Sequence, residues 1–208
     1  MLRLDKWLAE MTEGSRAEVK KWIRQGRVYV NETKVQRPET KLDPDRDQVT
    51  LDGEQIIYEQ FCYYMLNKPA GVVSATTDRE HKTVIDLLQE ANTQDVFPVG
   101  RLDIDTEGLL LLTNDGALAH ELLSPRKHVD KTYFVRIAGN LSDADVKQLE
   151  QGMDIGDEKL TLPAKVSCLE QFPEEQEQTV MIKLREGRYH QVKRMFAKVG
   201  HPVLYLQR

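Results

Sequence analysis

Cysteine is nearly absent from this chain, since its 208 residues include two, Cys62 and Cys168. The two are far apart and form no CxxC or Cys/His spacing, so the sequence predicts buried, reduced thiols rather than a disulfide or a zinc site. The five histidines show no metal-ligand spacing either. Glycine-rich phosphate loops and dinucleotide fingerprints are also missing. We therefore expect no metal and no cofactor.

Long hydrophobic runs are missing as well. No apolar stretch approaches the length of a bilayer span, and the first ten residues, MLRLDKWLAE, lack the apolar core of a signal peptide. With 40% hydrophobic and 30% charged residues, the composition is typical of a globular protein. We therefore expect a cytoplasmic protein without membrane contact, with room for one large domain or for a small and a medium one.

The chain also lacks the net positive charge that is common in nucleic-acid-binding proteins, because its formal net charge is −5. The charges are unevenly distributed, however. Residues 1–30 carry seven lysines and arginines against four acids, whereas acids elsewhere concentrate at residues 43–47 and 174–177. A locally positive surface is therefore compatible with the negative total.

The first sixty residues predict a small module of two helices and a hairpin. Four apolar residues have the spacing of one helical face: Leu4, Trp7, Leu8 and Met11. A capping-box pattern at Ser15 and Glu18 opens a second helix, which Gly26 ends. The apolar face of this helix holds Val19, Trp22 and Ile23. Residues 27–30 then predict a strand, 31–33 a turn, and Val35 the start of the returning strand.

The second helix also carries a basic stripe. Arg16, Lys20 and Arg24 fall four residues apart, opposite the apolar face, and Arg27 extends the row. Lys21 and Lys34 are weaker members of the same surface. Taken alone, such a stripe is more often a solvated helix face than a binding site.

Residues 100–116, GRLDIDTEGLLLLTNDG, place the carboxylate of Asp103 between an arginine and an apolar run. Residues 109–112 predict a strand buried on both faces, and residues 114–116 predict the turn that closes it. Asp103 would then lie in an irregular segment leading into a rigid strand. An isolated aspartate at such a place is most often a turn cap, but the position also suits a catalytic group.

Two other interpretations of the same residues are weaker. The run from Asp103 to Gly108 begins like a calcium-binding EF-hand loop, but its twelfth position is Asn114, and Pro98 and Gly100 disfavour an entering helix. Asp103 and Asp105 could instead be paired carboxylates for glycoside hydrolysis, although nothing marks either as the acid.

The remaining elements suggest a larger second domain. Residues 63–66 predict a strand that runs into a tight turn at 67–71, and residues 84–90 and 117–123 predict short helices. Residues 131–138 alternate like a strand, with Tyr133 on its apolar face. A helix carrying Lys193 and Arg194 ends at Gly200, residues 174–177 predict a hairpin loop, and residues 204–208 predict a strand. By pattern alone, Tyr133 is a core aromatic and the two cations are solvated.

Longer strings of residues carry a resemblance to known families. The order of helix, SRAEVKKWIRQGRVYVN (15–31) and hairpin resembles the S4 RNA-binding domain. The strings LNKPAGVVS (66–74), GRLDIDTEG (100–108), KTY (131–133) and EGRYHQVKRMF (186–196) resemble the motifs of pseudouridine synthases, in the RsuA-type branch that acts on small-subunit ribosomal RNA.

The resemblance implies an α+β fold with an S4 domain at residues 1–58, a linker near Glu59, and a catalytic domain at 59–208 on a mixed, largely antiparallel sheet. Relatives continue beyond the equivalent of Arg208, so we expect the carboxyl-terminal end of this domain to be incomplete. The implied reaction converts one uridine of small-subunit (16S) rRNA, at the uridine-516 site, to pseudouridine without a cofactor or metal. The implied partner is that rRNA, partly assembled with ribosomal proteins, bound by a monomeric enzyme.

The resemblance also implies roles for individual residues. Asp103 would be the catalytic carboxylate, Tyr133 would stack on the target base, and Lys193 would pair with Asp103 where many relatives have arginine. Three further residues would contact the substrate: Arg101, Leu206 and Lys68. Four cations of the S4 domain would contact RNA phosphates: Arg16, Lys20, Arg24 and Arg27.

Two alternative functions stay open. A closely related enzyme could modify large-subunit rRNA or tRNA instead. The chain could also be an RNA-binding ribosome assembly factor without catalysis, although a pure binder has no reason to keep Asp103, Tyr133 and Lys193 together.

Overall fold

The computed structural model describes residues 1–12, 14–57, 61–88, 95–124, 127 and 129–208. The chain forms two compact units, Met1–Cys62 and Tyr63–Arg208. The predicted domain boundary at residues 58 and 59, and the predicted linker near Glu59, lie outside the described residues. In the described parts of the chain, no helix is long and apolar enough to cross a membrane.

The amino-terminal unit combines two helices with short strands. Its elements are β1 (Leu2–Arg3), α1 (Leu4–Met11), α2 (Arg16–Arg24), β2 (Val28–Val30), β3 (Thr33–Lys34), β4 (Lys41–Leu42), β5 (Val49–Leu51) and β6 (Glu54–Ile56). Strands β3, β2, β5 and β6 form an antiparallel sheet in that order, and β1 pairs with β4. The fully buried core consists of Leu4, Trp7, Leu8, Val19, Ile23, Val28, Leu42 and Val49.

The boundaries of α2 confirm the local prediction. The Ser15 side chain accepts from the Glu18 amide while Glu18 accepts from the Ser15 amide, so both halves of the capping box are present. At the other end Gly26 has a φ of +73°, and the Arg27 amide donates to the Trp22 carbonyl. The helix therefore begins and ends where its own sequence directs.

The second unit is larger. Its elements are β7 (Tyr63–Lys68), a 3-10 turn (Ile85–Leu87), β8 (Phe97–Pro98), β9 (Gly108–Thr113), α3 (Gly116–Leu123), β10 (Lys131–Ala138), α4 (Asp143–Gln151), β11 (Lys165–Phe172), β12 (Glu177–Leu184), α5 (Gln191–Lys198) and β13 (Val203–Gln207). Strands β7, β9 and β8 form one antiparallel sheet, and β11, β12, β10 and β13 form another. The predicted α+β class is confirmed.

The two sheets of this unit meet where β9 begins. The Glu107 amide donates to the Leu206 carbonyl, and the Glu107 carbonyl accepts from the Arg208 amide. Gly108, with a φ of +105°, makes this approach possible because a Cβ there would lie 2.2 Å from the Arg208 carbonyl oxygen. The start of β9 is thus fixed to the end of β13.

Several expectations need correction. Strand β9 is buried on one face only: Leu110 and Leu112 are buried, but Leu109 is 46% exposed, as expected for a sheet covered on one side. The helix predicted at 84–90 is one 3-10 turn, with residues 89–90 outside the described part, whereas α3 matches the predicted helix at 117–123. Cys62 and Cys168 are not joined by a disulfide; Cys62 is half-buried rather than buried, and Cys168 is exposed because β11 lies at a sheet edge.

Candidate active site

The segment that holds Asp103 is fixed by groups distant in sequence. The Ser74 hydroxyl donates to the Leu102 carbonyl at 2.9 Å and accepts from the Leu102 amide at 3.0 Å. The Gly71 amide donates to the Ile104 carbonyl at 2.7 Å. The backbone is therefore tied on both sides of Asp103, and its position does not depend on the loop alone.

The buried side chain of Lys68 is a third group that holds the segment around Asp103 in place. Its side chain is fully buried, and its ammonium donates to the carbonyls of Pro69, Ile104 and Thr106 at 3.0, 3.3 and 2.8 Å. Burial lowers the pKa of Lys68, while the nearby charge of Asp105 opposes that change. All three ammonium hydrogens are used inside the protein, so the RNA contact of Lys68 stays a prediction and would require the ammonium to leave a carbonyl. The sequence did contain an indication that Lys68 points inward, because it lies two and four residues after Leu66 and Tyr64 and so shares their face of the strand.

Two nitrogen-bearing side chains from the start of α5 face Asp103. His190 Nε2 lies 3.5 Å from Asp103 Oδ1, and Lys193 Nζ lies 3.6 Å from Asp103 Oδ2. The Asp103 side chain keeps 25% of its surface exposed, so a ligand can reach it. The structure therefore brings Asp103 and Lys193 together as predicted, and it adds His190, which the sequence reasoning missed.

Asp105 takes the closer contact with the lysine. Lys193 Nζ donates to Asp105 Oδ1 at 2.5 Å, and this hydrogen bond lowers the pKa of Asp105. Asp105 therefore holds the Lys193 ammonium more closely than Asp103 does, at 2.5 Å against 3.6 Å. It is placed to position the ammonium, which then stands between two carboxylates.

Tyr133 lies on β10, with 9% of its surface exposed. Burial raises the pKa of its hydroxyl, and a hydrogen bond from Arg208 opposes that rise. The same guanidinium donates twice to the Leu109 carbonyl, at 2.8 and 2.6 Å. Arg208 is thus a second residue that sequence reasoning missed, since nothing in its local pattern relates it to Tyr133.

The other predicted substrate residues occupy different environments. Arg101 is exposed at the entrance to the Asp103 segment. Leu206 is 5% exposed on β13, beside Val135 of β10, and its carbonyl accepts from Glu107. Their contacts with a base stay predictions. In the described parts of the chain, no group of three or more His, Cys, Asp or Glu side chains is placed to hold a metal ion.

The basic stripe of the amino-terminal unit is divided. Arg16 and Arg24 are exposed and Lys20 is half-buried on α2, as an external stripe requires. The Arg27 guanidinium is instead paired with the Asp52 carboxylate and lies over the Trp22 ring, 5.4 Å from its centroid. An RNA phosphate at Arg27 would have to share or replace Asp52.

The arrangement in the second unit suits acid–base or nucleophilic chemistry on a polar ligand. A reachable carboxylate stands beside a lysine and a histidine, on a segment fixed by buried hydrogen bonds. A buried tyrosine supported by an arginine completes the site.

Comparison with known proteins gives the class. Residues 62–198 match the RNA pseudouridylate synthase family, and residues 2–49 match the S4 domain. The chain therefore belongs to the RNA pseudouridylate synthase family and carries an S4 domain before the catalytic part. It is a pseudouridine synthase that acts on RNA.

Three relatives match the whole chain. Uncharacterized RNA pseudouridine synthase YtzG of Bacillus subtilis is 45% identical over 208 residues and is covered to 86% of its length. Ribosomal small subunit pseudouridine synthase A of Escherichia coli is 42% identical and covered to 87%. Ribosomal large subunit pseudouridine synthase B of Bacillus subtilis is 36% identical and covered to 84%. A crystal structure of a pseudouridylate synthase, 34% identical, matches all of this chain and 87% of its own, with a TM-score of 0.63.

Proposed function

We propose that this enzyme converts one uridine of small-subunit ribosomal RNA, at the uridine-516 site, to pseudouridine. The supporting observation is the 42% identity across the whole chain to a relative named for the small subunit, against 36% to one named for the large subunit. Modification of large-subunit rRNA or tRNA is the second candidate. The substrate is small-subunit rRNA partly assembled with ribosomal proteins, and the enzyme acts on it as a cytoplasmic monomer.

The residues of the site have distinct roles in this reaction. Asp103 acts on the ribose, either as a nucleophile at C1′ or as a base on the sugar. The N1–C1′ bond breaks, the uracil turns, and C5 bonds to C1′. N1 then carries a proton and C5 loses its own, so the product is an isomer and no oxidant is consumed. Lys193 and His190 lie 3.6 and 3.5 Å from the two carboxylate oxygens of Asp103 and hold that side chain in place.

The aromatic side chain of Tyr133 stacks on the flipped uracil. A flipped base has lost its neighbours in the stack, and a fixed aromatic ring replaces part of that contact. The Tyr133 side chain is 9% exposed on β10, so packing holds its ring in one orientation. Arg101, exposed beside the catalytic segment, braces the gap that the base leaves.

The amino-terminal unit supplies affinity rather than base identity. Cations at helix surfaces contact phosphates without reading sequence, so the exposed Arg16 and Arg24 and the half-buried Lys20 orient the RNA. Arg27 joins them when a phosphate displaces or shares Asp52.

The test is to map pseudouridine across rRNA and tRNA from cells that lack the protein, and from the same cells supplied with the wild type or with Asp103→Asn. We expect one small-subunit position to lose the modification and to regain it with the wild type alone. Loss at a large-subunit or tRNA position would reject the small-subunit assignment. Restoration by Asp103→Asn would reject the role of Asp103.

A further inference from the structure

An exposed aromatic pair stands beside the catalytic carboxylate and is not used by the chemistry above. Tyr189 is 75% exposed, and its ring stacks on His190 with centroids 3.9 Å apart and planes inclined by 16°. The other end of the imidazole faces Asp103, at 3.5 Å. One imidazole ring therefore separates the catalytic carboxylate from an open aromatic face.

The backbone under this pair is fixed. His190 has a φ of +47°, which is uncommon for a residue with a side chain, and it immediately precedes α5. The Arg194 guanidinium donates to the Tyr189 carbonyl at 2.9 Å. One residue earlier, the Arg188 amide donates to Gln191 Oε1 at 3.0 Å. The backbone of Tyr189 is thus fixed by hydrogen bonds, and its ring is held by the stack on His190.

The Arg188 side chain anchors the same segment to a distant loop. Its guanidinium donates to the carbonyls of Lys159 and Leu160 at 2.6 and 2.7 Å. An exposed aromatic ring gains nothing for folding from such fixation, because its face stays in water. A ring that is already ordered before binding loses little conformational entropy when a flat ligand stacks on it, so the ligand binds more tightly.

We propose that the exposed face of Tyr189 binds a nucleobase next to the target uridine, as a second stacking site distinct from Tyr133. When an enzyme extrudes one nucleotide from a folded RNA, the adjacent base loses a stacking partner. The Tyr189–His190 pair offers a replacement at the edge of the site. The chemical class of ligand is a single-stranded nucleobase, and stacking alone accepts any of the four.

The test compares Tyr189→Phe with Tyr189→Leu. The substrate is total RNA from cells lacking the enzyme, labelled with tritium at uridine C5, because tritium is released wherever C5 bonds to C1′. The assay does not depend on which RNA is modified, so it remains valid if the small-subunit assignment fails. The half-saturating RNA concentration and kcat are measured separately, together with the salt dependence of binding.

We expect Tyr189→Leu to raise the half-saturating RNA concentration about tenfold, since one base stacked on an aromatic ring contributes about 1–3 kcal/mol. Its kcat and salt dependence should match the wild type, because no phosphate contact is lost. Tyr189→Phe keeps the ring and should behave as the wild type. Tyr63→Leu, which removes a ring that is 58% exposed elsewhere in the same unit, should change neither constant.

Three outcomes would overturn the proposal. An unchanged half-saturating concentration in Tyr189→Leu would mean that no base covers the ring. Equal loss in Tyr189→Phe would assign the effect to the hydroxyl. A fall in kcat alone would mean that Tyr189 acts only by positioning His190.

Discussion

The two units of the chain use their cationic side chains in opposite ways. On α2 of the amino-terminal unit, Arg16 and Arg24 are exposed and make no demand on the fold. In the catalytic unit, Lys68 is fully buried on three carbonyls and Lys193 stands between two carboxylates. The first arrangement suits contact with an external polyanion, and the second fixes a reacting group. Changes in the two sets should therefore affect different measured quantities.

The largest effect is expected at Asp103, the carboxylate that Lys193 faces. Asp103→Asn keeps the size of the side chain and removes its charge, so isomerisation should fall to background while RNA binding largely survives. The measurement is tritium release beside a filter-binding isotherm on the same RNA. Turnover above about one hundredth of the wild type would contradict the mechanism, since losing an essential nucleophile or base costs at least that factor.

Lys68→Met should have the next largest effect, and it should fall on stability. The buried Thr106 carbonyl would lose its donor, whereas the Ile104 carbonyl keeps the Gly71 amide and Pro69 is exposed to water. One buried unsatisfied group costs about 1–3 kcal/mol, so we expect a loss of that size in the catalytic unit. The chain has two tryptophans, Trp7 and Trp22, both in the amino-terminal unit. Their fluorescence should therefore report an unchanged transition while calorimetry shows the catalytic unit unfolding earlier.

The matched control for that variant is Lys21→Met. Lys21 is exposed on α2, and removing an exposed charge normally changes stability by less than about 0.5 kcal/mol. If Lys68→Met were equally harmless, the buried ammonium would contribute nothing to the fold, and the difference between inward and outward cations would disappear.

Reversing the charge of the basic stripe on α2 should change RNA binding without changing folding or kcat. Replacing Arg16, Lys20 and Arg24 by Glu should weaken binding across RNA sequences, and each lost phosphate contact should reduce the salt slope by about one. A triple reversal at three exposed cations elsewhere in the same unit changes the net charge equally: Arg37, Lys41 and Arg46. If both triples behave alike, net charge rather than the α2 stripe governs binding.

The basic stripe on α2 could be predicted from the sequence because local rules determine where the helix begins, where it ends and which face is polar. The capping box at Ser15 and the stop at Gly26 fix the limits of α2, and a helical period then separates the basic row from Val19 and Ile23. Every signal lies within about a dozen residues. The same holds for the strand alternation that places Tyr133 on the buried face of β10.

The surroundings of Asp103, including Lys193 and Lys68, could be predicted only in part. The motifs indicated Asp103 and Lys193, but the carbonyls that hold Lys68 come from residues 36 and 38 positions away. The meeting of Arg208 with Leu109 depends on two sheets joining, which no local pattern encodes. The four consecutive leucines of β9 do not alternate with polar residues, so the sequence did not indicate that one face of this strand is exposed.

The smallest expected effect concerns Asp105, which accepts a hydrogen bond from Lys193. Because the hydrogen bond from Lys193 lowers the pKa of Asp105, its contribution to stability is fully present above the pKa of a free aspartate, about 3.9. That contribution is lost as the pH falls through the lower pKa of the folded state. Asp105→Asn should therefore be less stable than the wild type near neutrality, by less than about 1 kcal/mol since the carboxylate is largely exposed.

The difference between wild type and Asp105→Asn should shrink towards zero below the folded pKa, and unfolding of the catalytic unit in urea across this pH range measures it. Lys193→Met supplies the control: in that background, Asp105→Asn should cost nothing at any pH, because the interaction is already gone. At neutral pH the kcat of Asp105→Asn should fall only a few-fold, since Lys193 still faces Asp103 at 3.6 Å. Loss as complete as that of Asp103→Asn would instead make Asp105 a participant in the chemistry and restore the paired-carboxylate interpretation.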